Sequence, residues 1–275
     1  MNNICSHRLL NQQIAAGGFT EPGEVVAWLG AMQAQDYLGT LWAVGLRLRG
    51  STEASIEQAL DDRTIVRTWP MRGTLHIVAS ADVRWMLDLL APRRLAQSAG
   101  RRRQLGIDET TLARSREVCG AALQGGKQLS RAAMFALLQS HGIATVGQRG
   151  IHILGHLAQE GLLCLGSRAG KQFTFALLQD WAPGARTMEP DAARCELARR
   201  YFTGHGPAPA HDFAWWTGQT LGDARRALAG ASDHLVQAQI DGKTYWMGPA
   251  PAPQEAPASA VYLLPGFDEY MLGYH

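Results

Sequence analysis

Cysteine is scarce in this chain: Cys5, Cys119, Cys164 and Cys195 are the four present, and they lie far apart. No pair has metal-ligand spacing, so neither a cysteine metal centre nor a disulfide framework is expected. They read as reduced, mostly buried thiols of a cytosolic protein. A dominant charge is lacking too, with 26 Lys and Arg against 24 Asp and Glu and a formal net charge of +2. Binding to a polyanion would have to rest on local basic patches. No apolar run reaches membrane-spanning length, and the N-terminus has no charged-then-apolar leader. The expectation is a soluble, intracellular protein with no membrane partner. A hydrophobic content of 46% over 275 residues is ordinary for a globular chain and supports a sizeable core in two or three modules.

What is present centres on Met32-Gln33-Ala34-Gln35-Asp36-Tyr37. It follows an apolar helical pattern of Val25, Val26 and Leu29, opened by Thr20-Glu21-Pro22 with Thr20 or a neighbour as cap. Residues two apart point roughly 200° apart on a helix but to one side of an extended segment. Gln33 and Gln35 therefore converge only if the helix ends at the motif, and Gly39 is the stop signal at hand. A polar helix end in water is the plain alternative.

Downstream, Leu41 to Leu48 forms a helix with Trp42 inward and Arg47 and Arg49 at a basic end, and Glu53 to Leu60 a short one. Arg63 to Ala79 changes to strand-like alternation through Met71-Arg72-Gly73, a hairpin offering Arg67, Trp69, Arg72 and His76 to a partner. Asp82 to Arg103 reads as a helical pair broken or bent at Pro92, with basic Arg93-Arg94 and Arg101-Arg102-Arg103. Ser130 caps a helix and Thr145 the next, whose Ile151, Leu154 and Ala158 face inward and whose Gln148, Arg149 and His152 face outward as a recognition helix would. A hairpin from Leu162 to Leu178 carries Arg168 and Lys171 at a glycine-containing tip suited to phosphate. Beyond a proline-bearing linker, Ala192 to Met247 repeats the plan with a hairpin around Asp241-Gly242-Lys243. A flexible Pro/Ala-rich stretch, Pro249 to Ser259, precedes a last strand at Ala260 to Leu264.

The expected class is mainly α with small β-hairpins, an α+β tandem winged-helix architecture. Its modules would span 1–92, 93–180 and 181–248, with 249–275 a linker and the start of a C-terminal segment. Winged helices bind proteins as well as DNA, so a transcription regulator and an interaction scaffold both remain open from the residues alone.

Together these stretches resemble the AlkZ-type family of bacterial DNA glycosylases, which are tandem winged-helix proteins. The matching segments are Met32 to Asp36, Arg67 to His76, Gly147-Gln148-Arg149 with Gly170-Lys171-Gln172, Phe213 to Gly218, and Leu264-Pro265-Gly266-Phe267-Asp268. The resemblance implies that Gln33 and Gln35 are the catalytic motif in its double-glutamine form. It implies hydrolysis of the N-glycosidic bond of alkylated purines, interstrand crosslinks among them, on double-stranded DNA in the bacterial nucleoid, with no metal or organic cofactor. It also implies a further C-terminal segment after Tyr274, whereas the sequence here ends at His275.

Glutamine fits that chemistry. An N7- or N3-alkylated purine is already cationic and leaves without a proton donor, so the site has to place a water and stabilise an oxocarbenium-like sugar. An amide both donates and accepts hydrogen bonds, which suits holding a water, but it is no base at neutral pH. Asp36 is the nearest carboxylate and the rival for a base role, with a structural cap as its expected place. No lysine neighbours the motif, so Schiff-base lyase chemistry is not expected.

Overall fold

The computed structural model describes residues 4–249 and 260–275. In chain order come α1 (Ile4–Asn11), α2 (Pro22–Leu29), β1 (Ala31–Gln33), α3 (Tyr37–Gly45), α4 (Glu53–Asp61), β2 (Ile65–Thr68) and β3 (His76–Ala79). The middle of the chain supplies α5 (Val83–Gln104), α6 (Glu109–Leu123), β4 (Leu129–Ser130), α7 (Arg131–Ser140), α8 (Arg149–Gln159), β5 (Leu163–Ala169), β6 (Gln172–Leu177) and α9 (Leu178–Trp181). The remainder is α10 (Pro190–His205), α11 (Ala210–Thr217), α12 (Leu221–Ala231), β7 (Val236–Ile240), β8 (Lys243–Met247) and α13 (Glu269–Leu272). Helices dominate and the strand pairs are short and antiparallel, which is the α+β class expected.

The chain divides into two compact units. One gathers Met1–Ala59, His76–Ala79 and Met188–His275, the other Leu60–Leu75 and Ser80–Thr187.

In the first unit, Glu21 and Glu24 close a capping box at the start of α2, with Pro22 in its first turn. Val25, Val26 and Leu29 form the buried face, and the helix stops at Gly30, whose φ of 80° suits a residue without Cβ. β1 follows at once and pairs antiparallel with β3, Gln33 opposite His76. A second core lies around α10 and α11, where Tyr201 packs edge-on to Phe202 at 5.0 Å and tilted against Trp216 at 5.1 Å. β7 and β8 form the expected hairpin around Asp241-Gly242.

The second unit holds the helix-turn-helix and hairpin of the winged-helix plan. Ser130 Oγ accepts from the Ala133 amide and caps α7. Leu112, Cys119, Met134, Leu138, Ile153, Leu154, Leu157 and Phe175 build its core. β5 and β6 form the hairpin, with β4 added beside β6 and β2 beside β5.

Several local expectations are corrected. The motif does not end a helix: α2 stops before Gln33, because Gly30 rather than Gly39 is the breaker. Trp42 lies outward, 55% exposed, its indole Nε1 donating to the Leu263 carbonyl at 2.9 Å. α5 runs unbroken through Pro92, since Trp85, Met86, Leu87, Leu90 and Ala91 bury enough surface to offset one lost hydrogen bond. α8 begins after Gln148, not Thr145, whose hydroxyl instead accepts from Gln139 at 2.7 Å. Ile151 is exposed, and Ile153 with Leu157 takes its place on the buried face. Residues 260–264 form no strand. Of the expected flexible stretch, Pro249 to Ser259, residues 250–259 lie outside the described residues.

Candidate catalytic motif and nucleic-acid face

The Gln33-Ala34-Gln35 motif is extended. Gln33 is the last residue of β1, Ala34 continues it, and Gln35 and Asp36 bend into α3. Burial alternates along it: Met32 and Ala34 are buried, Gln33 is half-buried and Gln35 exposed. Period two is the strand signature, and it sets both glutamines opposite the core-facing residues. Asp36 occupies the N-cap position of α3 through its backbone, whose carbonyl accepts from the Thr40 amide at 2.9 Å and from Thr40 Oγ1 at 2.6 Å. Its exposed carboxylate makes no capping bond and lies against Gly39, where a Cβ would meet Oδ2 at 2.7 Å.

Two buried acids hold this region from behind. The Gln33 amide donates to Glu269 Oε1 at 2.7 Å, and Trp216 Nε1 donates to Glu269 Oε2 at 2.7 Å. His205 Nε2 lies 3.5 Å from the same oxygen, and neither His205 nor Glu269 has any exposed surface. The neighbouring Asp268 binds Arg47, just beyond α3, through both carboxylate oxygens. Arg47 also donates to the Gln12 carbonyl, Gln12 Oε1 and the Ala43 carbonyl, so all five guanidinium hydrogens are engaged. By sequence, Arg47 is expected at the basic end of a helix and Glu269 carries no role. The available signal was two adjacent acids among Phe267, Tyr270 and Met271, a setting that water alone does not explain.

The residues expected to meet DNA divide by depth. His76, on β3 of the first unit, is 0% exposed, and Arg67, on β2 of the second, is 7% exposed with its guanidinium over the Phe173 ring at 4.5 Å. Side chains this deep support the surface rather than form it. Trp69 is half-buried, packing with Leu75 on the core of the second unit, and Arg72 sits between them at a φ of 55°. Gln148 and Lys171 are exposed at the start of α8 and the tip of the β5–β6 hairpin, as is Arg168. Gln148 accepts from Arg101 Nη2 at 2.8 Å, which brings the basic end of α5 against the N-terminus of α8. His152 shares this neighbourhood: partial burial, then Arg101, Arg94 and Arg102, hold its pKa below the usual value. Arg149 differs from the others. Its Nε donates to the Ala144 carbonyl at 2.9 Å, and its Nη1 to those of Leu105 and Gly106 at 2.5 Å. It ties the α5–α6 turn to α8. Among the described residues, no helix is long and apolar enough to cross a membrane.

Comparison with known proteins extends over the same architecture. The "Interstrand DNA cross-link repair glycosylase" of Streptomyces sahachiroi is 26% identical over 268 residues, covering 92% of this chain and 72% of that protein. The structure of the Streptomyces sahachiroi DNA glycosylase AlkZ superposes with a TM-score of 0.77 at 25% identity, covering 96% of this chain and 77% of that one. The model of the family described as "DNA glycosylase AlkZ-like" matches residues 26–275, both glutamines and both buried acids included. The chain belongs to the AlkZ-like DNA glycosylase family, a family of DNA repair enzymes.

Proposed function

We propose that this glycosylase hydrolyses the N-glycosidic bond of alkylated purines in duplex DNA, interstrand crosslinks among its substrates, with Gln33 and Gln35 as the catalytic pair. The observation that supports this is the burial across Met32 to Gln35, where Met32 and Ala34 are buried, Gln33 is half-buried and Gln35 is exposed. The crosslink reading is supported by the name of the Streptomyces sahachiroi relative.

In the proposed reaction the C1′–N bond breaks and its electron pair neutralises the cationic purine. Water then bonds to C1′ and loses its proton to solvent, leaving a free base and an abasic site. The amides hold that water and orient its lone pair, a positioning role that needs no ionisable side chain. Because the leaving group already carries positive charge, the scheme needs neither an acid nor a metal or organic cofactor. Asp36 stays outside it, at the α3 N-cap position.

On the DNA side, Gln148, His152, Arg168 and Lys171 with Arg94 and Arg101 are proposed to meet the duplex, and Arg72 with Trp69 to reach beside the lesion. Arg67 and Arg149 support these from below, while His76 lies buried on β3 opposite Gln33. The partition into three winged-helix modules over 1–92, 93–180 and 181–248 is the accompanying proposal, as is work at the nucleoid of the cytoplasm.

The test is release of free N7-alkylpurine from alkylated duplex under single-turnover conditions. Wild-type protein should release base well above the spontaneous rate, and tight binding without release would leave only a DNA-binding role.

A further inference from the structure

Glu269 is an acid side chain with no exposed surface, set directly behind the segment that carries Gln33. β1 pairs with β3 on one side, and the Gln33 amide turns away from that ladder to the Glu269 Oε1 atom at 2.7 Å. The other oxygen accepts from Trp216 Nε1 at the same distance, which ties the strand end to α11. The carboxylate is anchored through its own chain as well. Asp268 Oδ1 accepts from the Tyr270 amide at 2.8 Å to cap α13, while the same side chain grips Arg47. Thus Asp268 fixes the far end of the helix that follows the motif, and Glu269 fixes the strand that carries it.

We infer that Glu269 is a positioning residue for the glycosidic reaction: its buried carboxylate sets the height and orientation of Gln33 by binding that residue's amide. This rests on Gln33 being catalytic. The hydrogen bond goes to the backbone of the residue whose side chain places the water, at the last position of the strand, so little chain separates the fixed point from the working amide. A misplacement of about 1 Å in such a group lowers a rate by about 100-fold. The chemistry of the bond is specific too. Both partners, Gln33 N–H and Trp216 Nε1–H, are donors, so the group between them has to offer two acceptors. A carboxylate does, and a carboxamide of the same shape does not.

That asymmetry supplies the test. Glu269→Gln keeps the volume but turns an NH2 toward one of the two donors. Single-turnover base release at saturating protein should fall by about 10–100-fold, with duplex affinity unchanged. In 1H–15N spectra the Gln33 amide proton should move upfield, since its hydrogen bond to the Glu269 oxygen is weakened or broken. Adding Trp216→Phe removes the competing donor and should restore both the rate and the amide shift relative to Glu269→Gln alone. A purely structural acid would show no such rescue, because the second substitution only removes more packing. Should Glu269→Gln fail to fold, hydrogen exchange on the wild-type protein decides the matter: a Gln33 amide exchanging as fast as an open loop overturns the inference. So does a wild-type rate in Glu269→Gln while Gln33→Ala is slow, an outcome that leaves the catalytic reading intact. A wild-type rate in Gln33→Ala overturns both.

Discussion

Arg47 and Asp268 form a two-pronged ion pair, each bond 2.8 Å long, with both side chains shut off from solvent. Such a pair stabilises little beyond what a packed apolar pair would, yet breaking one side leaves a buried charge unmatched. Asp268→Asn should therefore lower unfolding free energy by about 3–5 kcal/mol, measured by urea denaturation. Replacing both partners with Met and Leu should recover most of that loss. Equal destabilisation in the single and double variants would show that the pair itself is the source of stability.

Gln33→Ala and Gln35→Ala should each slow base release by about one to three orders of magnitude, the range for removal of a positioned hydrogen-bonding group. The double variant should be scarcely slower than the poorer single one, because in the proposed role the two amides act on the same water. Duplex affinity should barely change, since phosphate interactions supply most of it. Asp36→Asn should retain activity. Loss of all activity in that variant would move the base role to Asp36.

Lys171→Ala with Arg101→Ala should weaken binding to every duplex sequence alike and reduce the salt slope by about one for each phosphate that is no longer neutralised. Arg149→Ala should behave differently. Its guanidinium binds the carbonyls of Ala144, Leu105 and Gly106, so the loss should appear in thermal stability, about 1–3 kcal/mol, with a smaller change in the salt slope. Titrations of the two variants against one fluorescent duplex at several salt concentrations separate these outcomes.

Glu160 is held at a pKa of about 2, chiefly by its hydrogen bond with the His156 ring and then by that from Arg116, against partial burial. A carboxyl with a folded pKa below its unfolded value near 4.5 adds stability that is full above that value and lost as pH falls toward 2. Glu160→Gln should therefore cost stability at pH 7, about 1 kcal/mol after solvent screening, and flatten the acid limb between those two pH values. Thermal melts of both proteins from pH 7 to pH 2 check this. Parallel acid limbs would remove Glu160 from the account.

The features legible in the sequence are local ones. Ser130 caps its helix because a hydroxyl before an apolar run has one good use there. Asp241-Gly242 turns its hairpin with two positive φ angles, of 49° and 73°. The motif's conformation is misread when the wrong glycine is chosen, since Gly30 and Gly39 are equally good breakers until the ladder with β3 is known. Arg47 is hidden for another reason. Its partner lies 221 positions along the chain, and no helical or strand period carries information over that span. Trp42 departs from the rule that tryptophan goes inward, because the Leu263 carbonyl satisfies its indole at the surface. Distant pairings of polar groups are what local pattern does not supply, and the motif is supported by them.

The separation of Gln33 from Glu269 also has a meaning in time. The two are 236 positions apart, and a ribosome adds about 5–20 residues per second. A nascent chain therefore carries its glutamine motif for on the order of ten seconds to a minute before the acid that seats it exists. Through that interval the outward edge of β1 has no Glu269 to receive its last amide, and an unpaired edge is a place where wrong strands join. Any chain released before Asp268 and Glu269 are made would carry both glutamines and lack the bonds that these acids make to Gln33 and Arg47.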